Sequence, residues 1–151
     1  MASRGELGSK TGILAKKAWK RSEKVLLEHL STSFSRAQSL ILAARNLGRD
    51  VAPVEDLLSR ARSAMESNDL PAAVSFTKEC LDTVTEDLQS AMDKEMAETE
   101  ELQGTAKSLG ADTGKVAALI ERSRKDVANL DFEKARNALR QGRTEAEKAI
   151  Q

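Results

Sequence analysis

Residues 47–73 read LGRDVAPVEDLLSRARSAMESNDLPAA, and residues 109–135 read LGADTGKVAALIERSRKDVANLDFEKA. Laid over each other, 62 residues apart and without a gap, the two stretches match in punctuation and in core positions. Gly48 and Gly110 each follow an apolar helical run and stop it as C′ residues. Asp50 then offers an N-cap, with Pro53 in a first turn where its missing N–H is harmless. Asp112 or Thr113 does the same for the second copy. Val54, Leu57 and Leu58 meet Val116, Leu119 and Ile120, while Arg60 and Arg62 meet Arg122 and Arg124. Asn68 and Asp69 close one helix and open the next, as Asp131 does later. The pattern predicts short helices over 52–67 and 114–130, and a duplicated helical unit.

The flanking helices are long. Leu70 to Leu109 reads as one helix of about forty residues, on the order of 60 Å at ~1.5 Å per residue. Its apolar seam runs through Ala73, Phe76 or Thr77, Cys80 or Leu81, Val84, Leu88 and Ala91, then slips to Met92, Met96, Thr99, Leu102 or Gln103, Ala106 and Leu109. A one-residue slip turns the buried face by roughly 100°, which suits a helix whose halves pack in different bundles. An acidic patch (Asp93, Glu95, Glu98, Glu100 and Glu101) sits at the slip and is expected to be a solvated face. The first helix is expected to start near Lys10 or Thr11 and end near Leu47, with Leu27, Leu30, Phe34, Ala37, Ile41 and Ala44 at heptad-like spacing. The last helix runs from Phe132 to the end on Ala135, Ala138, Leu139, Ala146 and Ile150. Extended backwards, the 62-residue offset lays Phe76, Leu81 and Leu88 on Leu14, Trp19 and Leu26, so residues 10–26 resemble the last helix of a unit whose first two are missing.

The expected fold is therefore all-α: tandem antiparallel three-helix-bundle units of about 62 residues that share a long central helix, elongated in shape. Residues 1–9 read as a flexible lead-in, 10–26 as a basic amphipathic helix continuous with the next unit, 27–91 as the first unit and 92–151 as the second.

Composition agrees. Only 3% of residues are aromatic against 40% hydrophobic, so the core must be built of Leu, Ala, Val and Met, and small alanines let helix axes approach. Net charge is zero but unevenly spread: +6 over residues 1–50, −8 over 51–100 and +2 over 101–151. That excludes a globally basic nucleic-acid binder and would allow head-to-middle self-association. One cysteine permits no internal disulfide, and no apolar run approaches the ~20 residues of a membrane span. A cytoplasmic protein is expected.

No reaction signature is present. His29 is the only histidine and has no Cys/His neighbours to make a metal site. Cys80 sits beside Leu81 on a helix face and reads as a small core filler. Gly104, Gly110, Gly114 and Gly142 lack phosphate-loop spacing. The chain is expected not to be an enzyme, to need no cofactor or metal, and to take no small-molecule substrate. The one suggestive segment is ILAKKAWKRSEK at 13–24, where Lys16, Lys17, Trp19, Lys20 and Arg21 are the candidate binding residues. A basic amphipathic helix with a tryptophan can fill a partner's groove, pair with a second copy, or lie on an anionic membrane or nucleic acid.

In layout the chain resembles spectrin-type three-helix arrays, although spectrin units are longer and carry a tryptophan pattern absent here. The 47–73 and 109–135 segments look more like tandem helical segments of long archaeal coiled-coil-type proteins. Residues 61–73, ARSAMESNDLPAA, are similar to tetratricopeptide helix hairpins, with a different period and without their Tyr and Gly positions. These resemblances imply scaffolding or protein binding and bring no catalytic residues. The expected function is a structural or protein–protein interaction module, self-associating in one form. The alternative is a peripheral module that contacts anionic membrane or nucleic acid through the basic helix.

Overall fold

The computed structural model describes the backbone of residues 2–151 and the side chains of residues 20–151. Among the described residues there are five α-helices and no strand: α1 Ala2–Asn46, α2 Ala52–Glu66, α3 Leu70–Ser108, α4 Gly114–Ala128 and α5 Phe132–Ile150. α1 is helical from Ala2, where the sequence pointed to a start near Lys10 after a flexible lead-in. Gly5 and Gly8 each disfavour a helix by only about 1 kcal/mol against alanine, and no proline stands there to break it.

The two connections between long and short helices are built alike. Gly48 (φ 76°) and Gly110 (φ 82°) take the left-handed conformation that only glycine adopts freely. In each, the next residue closes the helix end: Arg49 donates its N–H to Ala44 O at 2.9 Å, and Ala111 donates to Ala106 O at 3.1 Å. Asp50 accepts from Ala52 N at 3.1 Å and Asp112 from Gly114 N at 3.0 Å. The N-cap position of α2 itself is Val51 and that of α4 is Thr113, neither with a side-chain cap bond. Asp50 and Asp112 thus each act one residue upstream of the cap position, as local turns.

The returns into α3 and α5 also match. Asn68 and Leu130 both have φ 59°, an uncommon conformation that is costly for leucine. Asp69 caps α3 by accepting from Ala72 N, and Asp131 caps α5 by accepting from Lys134 N. In every case the paired residues lie 62 apart.

α2 packs on the first half of α3 and α4 on α5, while α1 and α5 flank α3 at different heights. The buried line of α3 shows how one helix serves both ends. From Cys80 it steps by fours through Val84 and Leu88 to Met92. Each step of four turns the line by about 40°, so three in succession swing it by roughly 120°. The change of face is spread over three turns centred near Glu86 and begins earlier than the abrupt slip read at Met92.

The core does not stop at that change. One cluster joins Ala37, Ile41, Val54, Cys80 and Leu88 to Met92, Phe132, Ala135 and Leu139. Phe132, 1% exposed, enters this cluster from α5, and Asn46 of α1 donates to Glu133 Oε1 at 2.9 Å. Satellite clusters lie at the two ends, around Leu30, Ala64 and Ala73 and around Val116, Ile120 and Ala146. Buried hydroxyls are satisfied within their own helices: Thr77 donates to Ala73 O, Thr99 to Glu95 O and Ser123 to Ile120 O.

Candidate interaction surfaces

The acidic patch of α3 is engaged by arginines of α4 and α5. Glu98 accepts from Arg143 of α5 at 2.7 Å, Glu100 from Arg124 of α4, and Glu95 lies 3.7 Å from Arg136. These pairs are partly exposed and each contributes little, roughly 0–1 kcal/mol. Their effect is to choose which arginine-bearing helices sit beside this half of α3. The solvated face expected at the splice is therefore half committed to internal pairing, with Asp93 and Glu101 left exposed.

The contacts of α1 and α2 with the first half of α3 are of another kind. Arg49, just past Gly48, grips Asp87 of α3 with two bonds of 3.0 and 2.6 Å. That fork depresses the Asp87 carboxyl below the usual carboxylate range and raises Arg49. Arg62 of α2 stands over the Phe34 ring, 5.4 Å from its centre, a cation–π contact that covers the α1–α2 seam. The Cys80 thiol is fully buried, donates to Val54 O at 3.3 Å, and is pushed up by desolvation. It is a core filler, as its position predicted.

Of the sequence-predicted binding residues, Lys20 and Arg21 are exposed on α1. Lys16, Lys17 and Trp19 lie outside the described side chains. Beyond Arg21 the same helix exposes Lys24, Val25 (64%), Leu27 (43%) and His29 before Leu30, 2% exposed, enters the core. Leu27, read as the first residue of the core seam, is thus on the surface, because α2 and α3 reach α1 only at Leu30.

A second surface escaped the sequence reading. α4 and α5 enclose an open groove of 710 Å³ lined by Lys115, Ala118, Leu119, Arg122, Arg140 and Thr144, among others. Lys115 reaches Glu145 at 3.4 Å, whereas Arg122 and Arg140 are in no ion pair among the described residues. The i, i+7 spacing of Lys115 and Arg122 was visible as a signal, but not which helix would face it. Among the described residues no group of three or more His, Cys, Asp or Glu is placed to hold a metal ion, and no helix is long and apolar enough to cross a membrane. No protein-family model, curated protein or solved structure matches the chain.

Proposed function

We propose that the chain is a non-catalytic structural or protein–protein interaction module made of two tandem 62-residue helical units that share α3. It joins a protein partner or a second copy of itself. The observation that carries this reading is the stretch of α1 before Leu30, which runs past the bundle with Val25 and Leu27 exposed. One unit later Val84 and Leu88, the counterparts of Ser22 and Leu26, pack within the core, whereas Val25 and Leu27 correspond to Asp87 and Gln89, which lie outside it. Val25 and Leu27 thus add an apolar surface that the register of the unit does not call for, and it is open to a partner. The recurrence of both glycine stops, both aspartate caps and both positive-φ returns at one offset supports a duplicated unit. The layout fits the resemblance to spectrin-type and coiled-coil-type arrays, and with it an elongated shape.

Trp19→Ala is the test. Sedimentation of the full chain over a range of concentrations should give an oligomer that weakens in the variant. A compact monomer at every concentration would remove self-association and elongation together. The exposure of Lys20, Arg21 and Lys24 beside Val25 favours one further reading, a peripheral module on an anionic membrane or nucleic acid. Binding of that kind falls steeply between low and moderate salt, while apolar self-association persists.

A further inference from the structure

The equivalent outer helix pairs of the two units carry opposite charge. Residues 52–89 hold three basic and eight acidic side chains, a balance of −5. Residues 114–151 hold nine and six, a balance of +3. On the first pair, Glu79, Asp82 and Glu86 fall at spacings of three and four on one face of α3. All three are exposed, and none is in an ion pair among the described residues. Arg36 lines the same hollow as Asp82 and Glu86 but bridges neither. On the second pair, Lys115 and Arg122 stand two turns apart along one wall of the α4–α5 groove, with Arg140 and Glu145 on the other; Lys115 already meets Glu145 at 3.4 Å, and Arg122 and Arg140 are in no ion pair among the described residues.

The spacings agree. Glu79 to Glu86 and Lys115 to Arg122 are both seven residues, about 10.5 Å along a helix. We propose that the Glu79–Asp82–Glu86 stripe of one copy docks in the Lys115–Arg122–Arg140 groove of a second copy. The inference rests on the interaction-module reading and names the surface and the partner.

Because the two patches lie on different parts of the molecule, the contact is head-to-tail and open, so copies add in a row instead of closing as a two-fold pair. Within one copy, Glu79 on α3 and Arg122 on α4 do not meet, and no ion pair joins the two patches among the described residues. Opposite charge gives this docking its orientation and its speed, and makes it sensitive to salt within a Debye length of about 10 Å at 0.1 M.

The experiment uses two full-length variants, Arg122→Ala/Arg140→Ala and Glu79→Gln/Asp82→Asn/Glu86→Gln. All five positions are exposed, so folding should be little affected. Sedimentation at low salt should show wild-type chains in concentration-dependent oligomers. Each variant alone should associate about tenfold more weakly. Mixed in equal amounts, the variants should form a complex that stops at one copy of each, because one intact stripe meets one intact groove. Variants that assemble like the wild type, or a mixture that stays monomeric, overturn the docking. If the wild type assembles and only Trp19→Ala disrupts it, the docking fails while the interaction module stands. A wild-type monomer at every concentration and salt overturns the docking and self-association alike, leaving a different protein as the module's partner.

Discussion

Residues 30–91 and 92–150 share a backbone plan but differ in what fills it. Helix stops, turn aspartates and positive-φ returns coincide position by position. Side chains at equivalent places do not. Cys80, Val84 and Leu88 in the first region correspond to Gly142, Ala146 and Ile150 in the second, and Ala61 to the buried Ser123. Leu47 is partly covered at the junction of the regions, whereas Leu109 is 64% exposed. The difference teaches that turn and cap chemistry fixes the path of the chain, while packing and charge have room to vary around it.

One case shows how the variation is balanced. A Cβ on Gly142 would stand 3.3 Å from Thr99 Cγ2, closer than ordinary contact. The corresponding residues of the first region are Cys80 and Ala37, both fully buried in one cluster. The larger residue is on opposite helices in the two regions, and the pair's volume is roughly kept. Volume-conserving exchanges of this kind are what close-packed interiors tolerate best.

The largest asymmetry is at the start of the last helix of each region. Phe132 is buried at the junction, and its counterpart Leu70 is only half buried at the free end. Phe132→Ala should cost about 3–5 kcal/mol in urea unfolding of the full chain, and Leu70→Ala roughly 1–2 kcal/mol. Equal losses would show that the junction is no better packed than the end.

A smaller contrast tests the two positive-φ returns. Asn68→Gly should be neutral or slightly stabilising, because asparagine already tolerates that conformation and Asn68 is exposed. Leu130→Gly relieves the same backbone cost but removes a side chain packed against the central cluster, for a net loss of about 1–2 kcal/mol. Thermal melts of the two variants should therefore move apart. A stabilised Leu130→Gly chain would mean that the Leu130 contact contributes little.

The smallest effect is a pH dependence belonging to the first region alone. Arg49 and Asp87 pair there, and the equivalent positions are Ala111 and Ala149. Asp87 has a depressed carboxyl in the folded chain. Its contribution is thus fully present above the unfolded value near 3.9 and is lost as pH falls through the folded value. The pair is more than a third exposed, so the contribution stays below about 1 kcal/mol. Arg49→Ala should lower stability slightly at pH 7 and by a vanishing amount in strong acid. A stability difference that grew towards acid would contradict this.

Helix number, order and boundaries, apart from the start of α1, were legible because Gly48, Gly110, Asp69 and Asp131 mark ends by chemistry that acts within a turn or two. Buried apolar positions on α2, α4 and α5 followed from 3.6-residue spacing. What spacing could not reveal depends on neighbours distant in sequence. Phe132 looked like a helix start, and its burial requires α1 and α3 to meet it. Ser123 is a polar residue whose hydroxyl is satisfied locally, so its burial leaves no apolar signal. The acidic patch of α3 read as solvated because its arginines lie 24 to 45 residues away. The α4–α5 groove was hidden for the same reason: its walls are two helices whose facing sides a single sequence does not state.

The equivalence of the two regions is tested most directly by exchanging one balanced pair. Gly142→Cys alone should destabilise the chain by about 1–3 kcal/mol through crowding against Thr99. Adding Thr99→Ala recreates the Ala37–Cys80 arrangement in the second region. A double-mutant cycle by urea unfolding should then return a favourable coupling of about 1 kcal/mol or more, with much of the loss recovered. Losses that simply add would show that the two regions do not share one packing plan.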